Sequence, residues 1–150
     1  EVVNFDVRPL GYADLQMDIQ SMDKVEDDSF ERFIAIHVLN HVADDSKALR
    51  EIERILKPGG QALITVPCRE DSSTESCANI TEHYGQEALS NFGVGTYRRY
   101  GLHDALGLFS KYFAVKSYRG FDGITSKYEH VFLLTKVCDA NQIPISISVS

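Results

Sequence analysis

The chain has 150 residues, with 15 Lys or Arg against 22 Asp or Glu and a formal net charge of −7. Its 43% hydrophobic and 25% charged residues are typical of a globular domain and exclude an entirely disordered chain. No apolar run is long enough for a membrane-spanning helix, and the acidic balance argues against a nucleic-acid-binding surface. We therefore expect one domain over residues 1–150, with no membrane and no nucleic acid as partner.

The cysteines and the amino-terminal residues bear on the cellular compartment. The three cysteines, Cys68, Cys77 and Cys138, form no CxxC pair, and an odd number leaves one without a disulfide partner. Reduced thiols are the simpler interpretation. The first residues show no secretory signal pattern, so the sequence predicts a cytoplasmic protein.

The first third of the chain predicts three strands. Residues 2–6 and 14–18 are short strand candidates, separated by a turn at residues 9–11. The apolar stretch within residues 32–38 predicts a buried strand, because both faces of such a run avoid water.

The clearest helix is predicted over residues 46–56, where apolar residues recur at helical spacing. Asp44 suits its start, since free backbone N–H groups attract acceptors there. The Pro58-Gly59-Gly60 stretch ends it, because Pro cannot continue the helical hydrogen bonds and Gly adopts a left-handed turn at low cost. A strand over residues 61–66 follows.

The remaining elements complete an α/β pattern. Residues 68–96 are polar and predicted to be irregular, a helix is expected over 102–111, and strands over 112–118 and 129–137. Strands alternating with helices favour a parallel sheet, whereas the short connection between the last two strands requires an antiparallel hairpin. The tail over residues 144–149 alternates with period two and predicts an edge strand.

Several motifs together resemble the class I S-adenosylmethionine-dependent methyltransferases, of the broad type 11 group. Residues 14–67 are similar to the second half of that family's domain. The motifs are Asp18-Ile19, Asp28-Ser29-Phe30-Glu31, His37-Val38-Leu39-Asn40-His41-Val42, the stretch 51–60 ending in Leu-Lys-Pro-Gly-Gly, and the later segment Phe92 with Tyr97-Arg98-Arg99-Tyr100-Gly101.

The resemblance implies a Rossmann-like sheet, mostly parallel with an antiparallel C-terminal hairpin. It places the family's first strand, first helix and glycine-rich loop before Val2, outside this sequence. Gly93-Val94-Gly95 lies in a polar segment with no strand before it and does not replace that loop. Two residues depart from the family pattern, since Glu31 stands where Asp is common and Asn40 where Glu is usual.

The resemblance also implies S-adenosylmethionine as cofactor and assigns residues to it. Asp6, at the end of the first strand, is the candidate for the ribose hydroxyls, although a turn-initiating Asp is an equally good interpretation. Asp18 corresponds to the acid on the adenine side, with the Ile19 backbone N–H directed at the ring. The alternative for Asp18 is a solvated carboxylate.

His37 is the catalytic candidate. It ends a predicted strand at the carboxyl edge, where open α/β sheets bind ligands, and it could line the pocket or act as a base. A neutral histidine bonded to the backbone is at least as consistent with the sequence. His37 and His41 are spaced like a zinc pair, but the intervening Glu of HExxH and a third ligand are lacking, so no metal is predicted.

Tyr97 and Arg98 are the candidates for substrate binding, because a guanidinium beside aromatic rings can bind an anion or stack on a ring. Ordinary surface packing explains the same residues. The polar segment 68–96 is the natural substrate lid, or it is partly disordered.

Two functions remain open. The first is a methyltransferase acting on a small molecule. The second is a non-catalytic module with the same fold, acting as a homodimer that exchanges strands, with the tail 144–149 as a candidate. A nicotinamide-binding domain is disfavoured by the antiparallel hairpin and by Leu56-Lys57-Pro58-Gly59-Gly60.

Overall fold

The computed structural model describes residues 2–122, 127–138 and 148–149. The helices are α1 (Asp45–Ile55), α2 (Gly85–Phe92) and α3 (Leu102–Phe109), with a 3₁₀ turn at Leu39–His41. The strands are, in chain order, β1 (Phe5–Asp6), β2 (Leu15–Gln16), β3 (Phe30–Ile36), β4 (Leu56–Thr65), β5 (Cys68–Arg69), β6 (Glu75–Ser76), β7 (Arg98–Gly101), β8 (Ala114–Asp122), β9 (Lys127–Thr135) and β10 (Ser148–Val149).

The main sheet has the strand order β10-β8-β9-β4-β3. β3 pairs with β4 in parallel, whereas β9 is antiparallel to both β4 and β8, and β10 is parallel to β8. Four strands therefore share one direction and β9 is reversed. This arrangement confirms the expected sheet, mostly parallel with an antiparallel C-terminal hairpin. The described part of the predicted tail strand is β10, and residues 144–147 lie outside the described residues.

β1 and β2 form a separate two-stranded parallel sheet. In the described residues β1 does not pair with β3, so these two strands lie in different sheets. Their side chains still meet, since the rings of Phe5 and Phe33 lie 5.9 Å apart. A gap between the two sheets results, and it becomes the cavity described below.

α1 forms as its local signals predict. The Asp44 side chain accepts a hydrogen bond from the Lys47 backbone N–H at 2.8 Å and caps the helix. Its apolar face is fully buried and packs with the sheet and α3 in one core cluster, which includes Ala48, Leu49, Ile52, Phe109 and Phe132. Burying each large apolar side chain contributes about 1.5–3 kcal/mol, so this face anchors the helix to the sheet.

Three expectations from the sequence are wrong. β4 begins at Leu56 rather than at 61, because the Pro58-Gly59-Gly60 turn is accommodated within the strand, with Gly59 at φ +75°. A Cβ on Gly60 would lie 2.7 Å from the Lys57 carbonyl oxygen, so that turn requires glycine. The segment 68–96 is not irregular throughout, since it contains β5, β6 and α2.

The third correction concerns β3. Phe33 and Ala35 are buried as expected, but Ile34 is 68% and Ile36 is 52% exposed. Ile34 and Ile36 lie two residues apart on the same face of β3, and both line the cavity described below. In the described residues no helix is long and apolar enough to cross a membrane.

Candidate functional site

A cavity of about 590 Å³ lies between the β1–β2 sheet and β3. The carboxyl ends of β1, β2 and β3 all open into it, as open α/β sheets favour for ligand binding. Its walls include Asp6, Asp18, Ile19 and His37, so four of the predicted site residues share one cavity. Asp6 and His37 were predicted here from their positions at strand ends, and Asp18 and Ile19 from the family resemblance.

The Asp6 carboxylate is engaged by a neighbour that the sequence analysis did not assign to the site. Asp6 Oδ1 accepts from the Arg8 backbone N–H at 2.9 Å and from Nε at 3.1 Å, and Oδ2 accepts from a terminal guanidinium nitrogen at 3.2 Å. Partial burial tends to raise the pKa of Asp6, but the hydrogen bonds and charge of Arg8 outweigh it and lower that pKa. Asp6 is therefore an ionised acceptor facing the cavity.

The loop after β2 holds Asp18 and Ile19. The Asp18 carboxylate accepts from the Gln20 backbone N–H at 2.8 Å, which makes a tight Asx turn. The Ile19 side chain is buried, and no hydrogen bond within residues 2–122, 127–138 and 148–149 uses its backbone N–H. This N–H is a donor of the kind that was predicted to recognise a ring.

Arg54 and Glu51 on α1 hold the same loop. Arg54 donates to the Met22 carbonyl at 3.0 Å, to the Val25 carbonyl at 2.8 Å and to Asp27 at 2.7 Å. Glu51 pairs with Arg54 and accepts from the Met22 backbone N–H at 2.7 Å. These bonds lower the pKa of Glu51 and raise that of Arg54. The loop that carries Asp18 is thus fixed to the helix of the main sheet.

His37 stands directly after β3 with an unusual backbone. Its φ is +53°, a left-handed conformation that few residues other than glycine adopt. Its backbone N–H donates to the Thr65 carbonyl oxygen at 3.0 Å, which ties it to the end of β4. Its ring Nε2 lies 3.4 Å from Oε2 of Glu129 on β9. Strained residues of this kind cluster at functional sites.

His41 is a second cavity histidine that the sequence analysis did not assign to the site. Its Nε2 lies 2.9 Å from the Asn40 amide nitrogen, which can only donate, and its Nδ1 lies 3.1 Å from the Gly95 carbonyl, which can only accept. Both ring nitrogens are therefore used by a neutral imidazole with its proton on Nδ1. Burial is the main cause that lowers the pKa of His41.

The polar segment predicted as a lid supplies one wall of the cavity. Tyr84, Phe92, Gly93 and Val94 line it. The Tyr84 ring meets the His41 ring edge-on with centroids 4.8 Å apart, and the Arg8 guanidinium lies 5.9 Å from the Tyr84 ring centroid. The segment is therefore joined to the β1 side and to the β3 side of the cavity.

Tyr97 and Arg98 do not join this group. Neither lines the cavity. Arg98 donates to the carbonyls of Leu39 and Val42, both at 2.9 Å, and its guanidinium lies 3.4 Å from Asp45. Its side chain is thus occupied in joining β7 to the 3₁₀ turn and to the start of α1.

Comparison with known proteins finds a family similarity in the first part of the chain. Residues 4–64 match the family model described as a methyltransferase domain. The match includes β1 to β3, α1 and nearly all of β4, and with them Asp6, Asp18 and His37.

Solved structures show the same fold. The 1,6-didemethyltoxoflavin-N1-methyltransferase of Burkholderia thailandensis aligns with a TM-score of 0.62 and 19% identity over 82% of this chain and 50% of that one. An S-adenosylmethionine-dependent methyltransferase of Thermotoga maritima aligns at 0.53 and 19%, over 81% of this chain and 63% of that one. The [4+2]-cyclase SpnF aligns at 0.55 and 16%, over 81% and 54% respectively.

The fold is therefore that of S-adenosylmethionine-dependent methyltransferases. The chain spans about half to two thirds of the length of these solved structures. A cyclase among them shows that this fold hosts more than one reaction, so function must be argued from the site.

Proposed function

We propose that the chain binds S-adenosylmethionine in the cavity between its two sheets and transfers the methyl group to a small-molecule acceptor. The observation that carries the proposal is the convergence of Asp6, Asp18, Ile19 and His37 on one cavity at the carboxyl ends of three strands. Neighbours with bound S-adenosylhomocysteine or S-adenosylmethionine support the choice of cofactor.

The donor and acceptor groups of the cavity suit this cofactor. A carboxylate such as Asp6 accepts hydrogen bonds from a ribose diol, and the Asp18–Ile19 loop offers an acceptor beside a backbone donor for adenine. Met17, Ile19 and Phe33 supply apolar wall for a planar ring. When bound, the cofactor supplies a methyl group on a positively charged sulfur, which is attacked in line by a nucleophile.

The residues of the chain contribute position and proton transfer. Holding the acceptor in line with the methyl carbon is worth up to about 7–11 kcal/mol in ideal intramolecular cases. His37 at the cavity wall is the group proposed to take the acceptor's proton. Tyr84 and Phe92 from the segment after β4 exclude water from one side.

Isothermal titration calorimetry with S-adenosylhomocysteine tests the cofactor site. We expect micromolar binding by the wild type, loss of binding in Asp18→Ala, and unchanged binding in Asp23→Ala. Asp23 is a matched control, because it removes the same charge from the same loop but does not line the cavity. No binding at millimolar ligand rejects the proposal, and binding of NAD in its place favours a nicotinamide enzyme.

A second candidate, a homodimeric binding module, is favoured by the surface of β3. Ile34 and Ile36 are both more than half exposed on a strand that pairs only with β4 among the described strands. A second copy could cover such an edge. Light scattering of the wild type tests the module, because a dimer supports it and a monomer contradicts it.

A further inference from the structure

Glu129 lies beside the proposed base, although it is remote from it in sequence. Its Oε2 is 3.4 Å from Nε2 of His37, and the two side chains are 39% and 36% exposed. Glu129 makes no other ion pair within residues 2–122, 127–138 and 148–149. The pair is therefore partly exposed rather than inside the core, and of its two members His37 lines the cavity.

The register of the main sheet explains why these residues meet. Ile36 of β3 pairs with Thr65 of β4, and Thr65 pairs with Val131 of β9, so the three form one row across the sheet. β4 ends at Thr65. Beyond this row β3 leads into His37, while the reversed β9 presents Glu129 on the same side. The end of the intervening strand lets the two side chains meet across it.

Both partners are held by their backbones. The His37 backbone N–H donates to both the carbonyl and the hydroxyl oxygen of Thr65, at 3.0 Å and 3.3 Å. Glu129 lies within the β8–β9 hairpin, opposite Gly120. The closeness of the carboxylate to the imidazole therefore follows from sheet geometry.

A carboxylate accepts hydrogen bonds and cannot donate them, whereas a neutral imidazole has one donor and one acceptor nitrogen. A carboxylate at Nε2 therefore favours the form with the proton on Nε2 and the lone pair on Nδ1. The separation of 3.4 Å is that of an ion pair, and catalytic contacts in ligand-free proteins often tighten when the substrate binds.

We propose that Glu129 is a positioning residue that holds the His37 imidazole with its proton on Nε2, so that Nδ1 accepts the proton of the methyl acceptor. The inference rests on the proposed function. As the acceptor's electron pair forms the bond to the methyl carbon, the carbon–sulfur pair remains on sulfur and the acceptor's proton moves to Nδ1. The charge of Glu129 then faces the resulting imidazolium.

Nuclear magnetic resonance of the intact chain with ¹⁵N-labelled histidine tests this role without any ligand. Of the 5 histidines, the His37 signals are assigned by their loss in His37→Asn. At a pH where the ring is neutral, the nitrogen shifts report which nitrogen carries the proton. We expect the Nε2-protonated form in the wild type.

Glu129→Gln is the informative variant, because its amide can donate as well as accept. The ratio of Nε2-protonated to Nδ1-protonated His37 should fall about threefold. The change is small because solvent weakens the interaction between two partly exposed charged side chains. Glu31→Ala is the matched control, since it removes a carboxylate at the opposite end of β3 and should leave the ratio unchanged. The same ratio in wild type and Glu129→Gln overturns the inference. Failure of the proposed function would appear separately, as absence of S-adenosylhomocysteine binding in calorimetry.

Discussion

Replacing Arg8 with Ala should strengthen binding of S-adenosylhomocysteine, because Arg8 competes for the carboxylate that the ribose diol needs. An ionised carboxylate offers about four lone-pair positions, and Arg8 fills three on Asp6, two of them with its side chain. One position remains, whereas a diol requires two. Binding to the wild type must therefore break at least one bond from the guanidinium.

The magnitude follows from the exposure of this pair. The side chains of Arg8 and Asp6 are 34% and 24% exposed, so solvent screens them and the pair is worth about 0.2–1 kcal/mol. At about 1.4 kcal/mol per tenfold change, Arg8→Ala should lower the dissociation constant by about 1.4- to 5-fold. S-adenosylmethionine carries a positively charged sulfonium, and removing the positive charge of Arg8 would strengthen its binding electrostatically as well. Calorimetry with S-adenosylhomocysteine, which lacks the sulfonium, avoids this second effect.

Arg32→Ala is the matched control for net charge, since Arg32 is exposed on β3 and does not line the cavity. Its affinity should equal that of the wild type. Weaker binding by Arg8→Ala than by Arg32→Ala would refute the competition and would make Arg8 a ligand-binding residue in its own right.

Two further predictions concern stability. The buried Tyr100 hydroxyl donates to Asp45 at 2.7 Å, so Tyr100→Phe should cost about 2 kcal/mol and lower Tm by about 4–8 °C. Thermal unfolding checks this against Tyr118→Phe at an exposed position, and equal Tm losses would contradict it. Burial lowers the pKa of His41 below its usual 6.5, so the folded state favours the neutral ring, and this stability is lost as pH falls below 6.5. Urea unfolding between pH 7.5 and 5.5 should show a steeper loss in wild type than in His41→Gln, and equal slopes would contradict it.

Elements whose signals are local could be predicted from sequence. α1 combines a capping Asp44, an apolar face at helical spacing and a terminating Pro58, and each acts within a few residues of the helix. The final hairpin follows from the short connection between its strands, since a parallel pair needs a longer crossover. These features depend little on the rest of the fold.

Whether each face of β3 is buried or exposed could not be predicted from the residues of the strand alone. Phe33, Ile34, Ala35 and Ile36 form an apolar run, but exposure depends on which elements cover each face of the strand. Likewise α2 was not predicted, and in the structure it buries no residue completely.

The candidate site also contains residues that the sequence could predict and residues that it could not. Asp6 and His37 could be proposed from their positions at strand ends, and Asp18 from the family resemblance. The roles of Arg8 and Glu129 could not, since the first depends on side-chain geometry and the second on the register of three strands.

The contacts of Arg54 have a consequence for how the protein opens. The β1–β2 sheet shares no backbone ladder with the main sheet in the described residues, so the loop bonds to Arg54 and Glu51 are a principal link between the two. Removing the guanidinium should let residues 2–28 exchange their amide hydrogens with solvent well before the main sheet does. Residues 2–28, which supply one wall of the cavity, would then become a unit that opens independently of the main sheet.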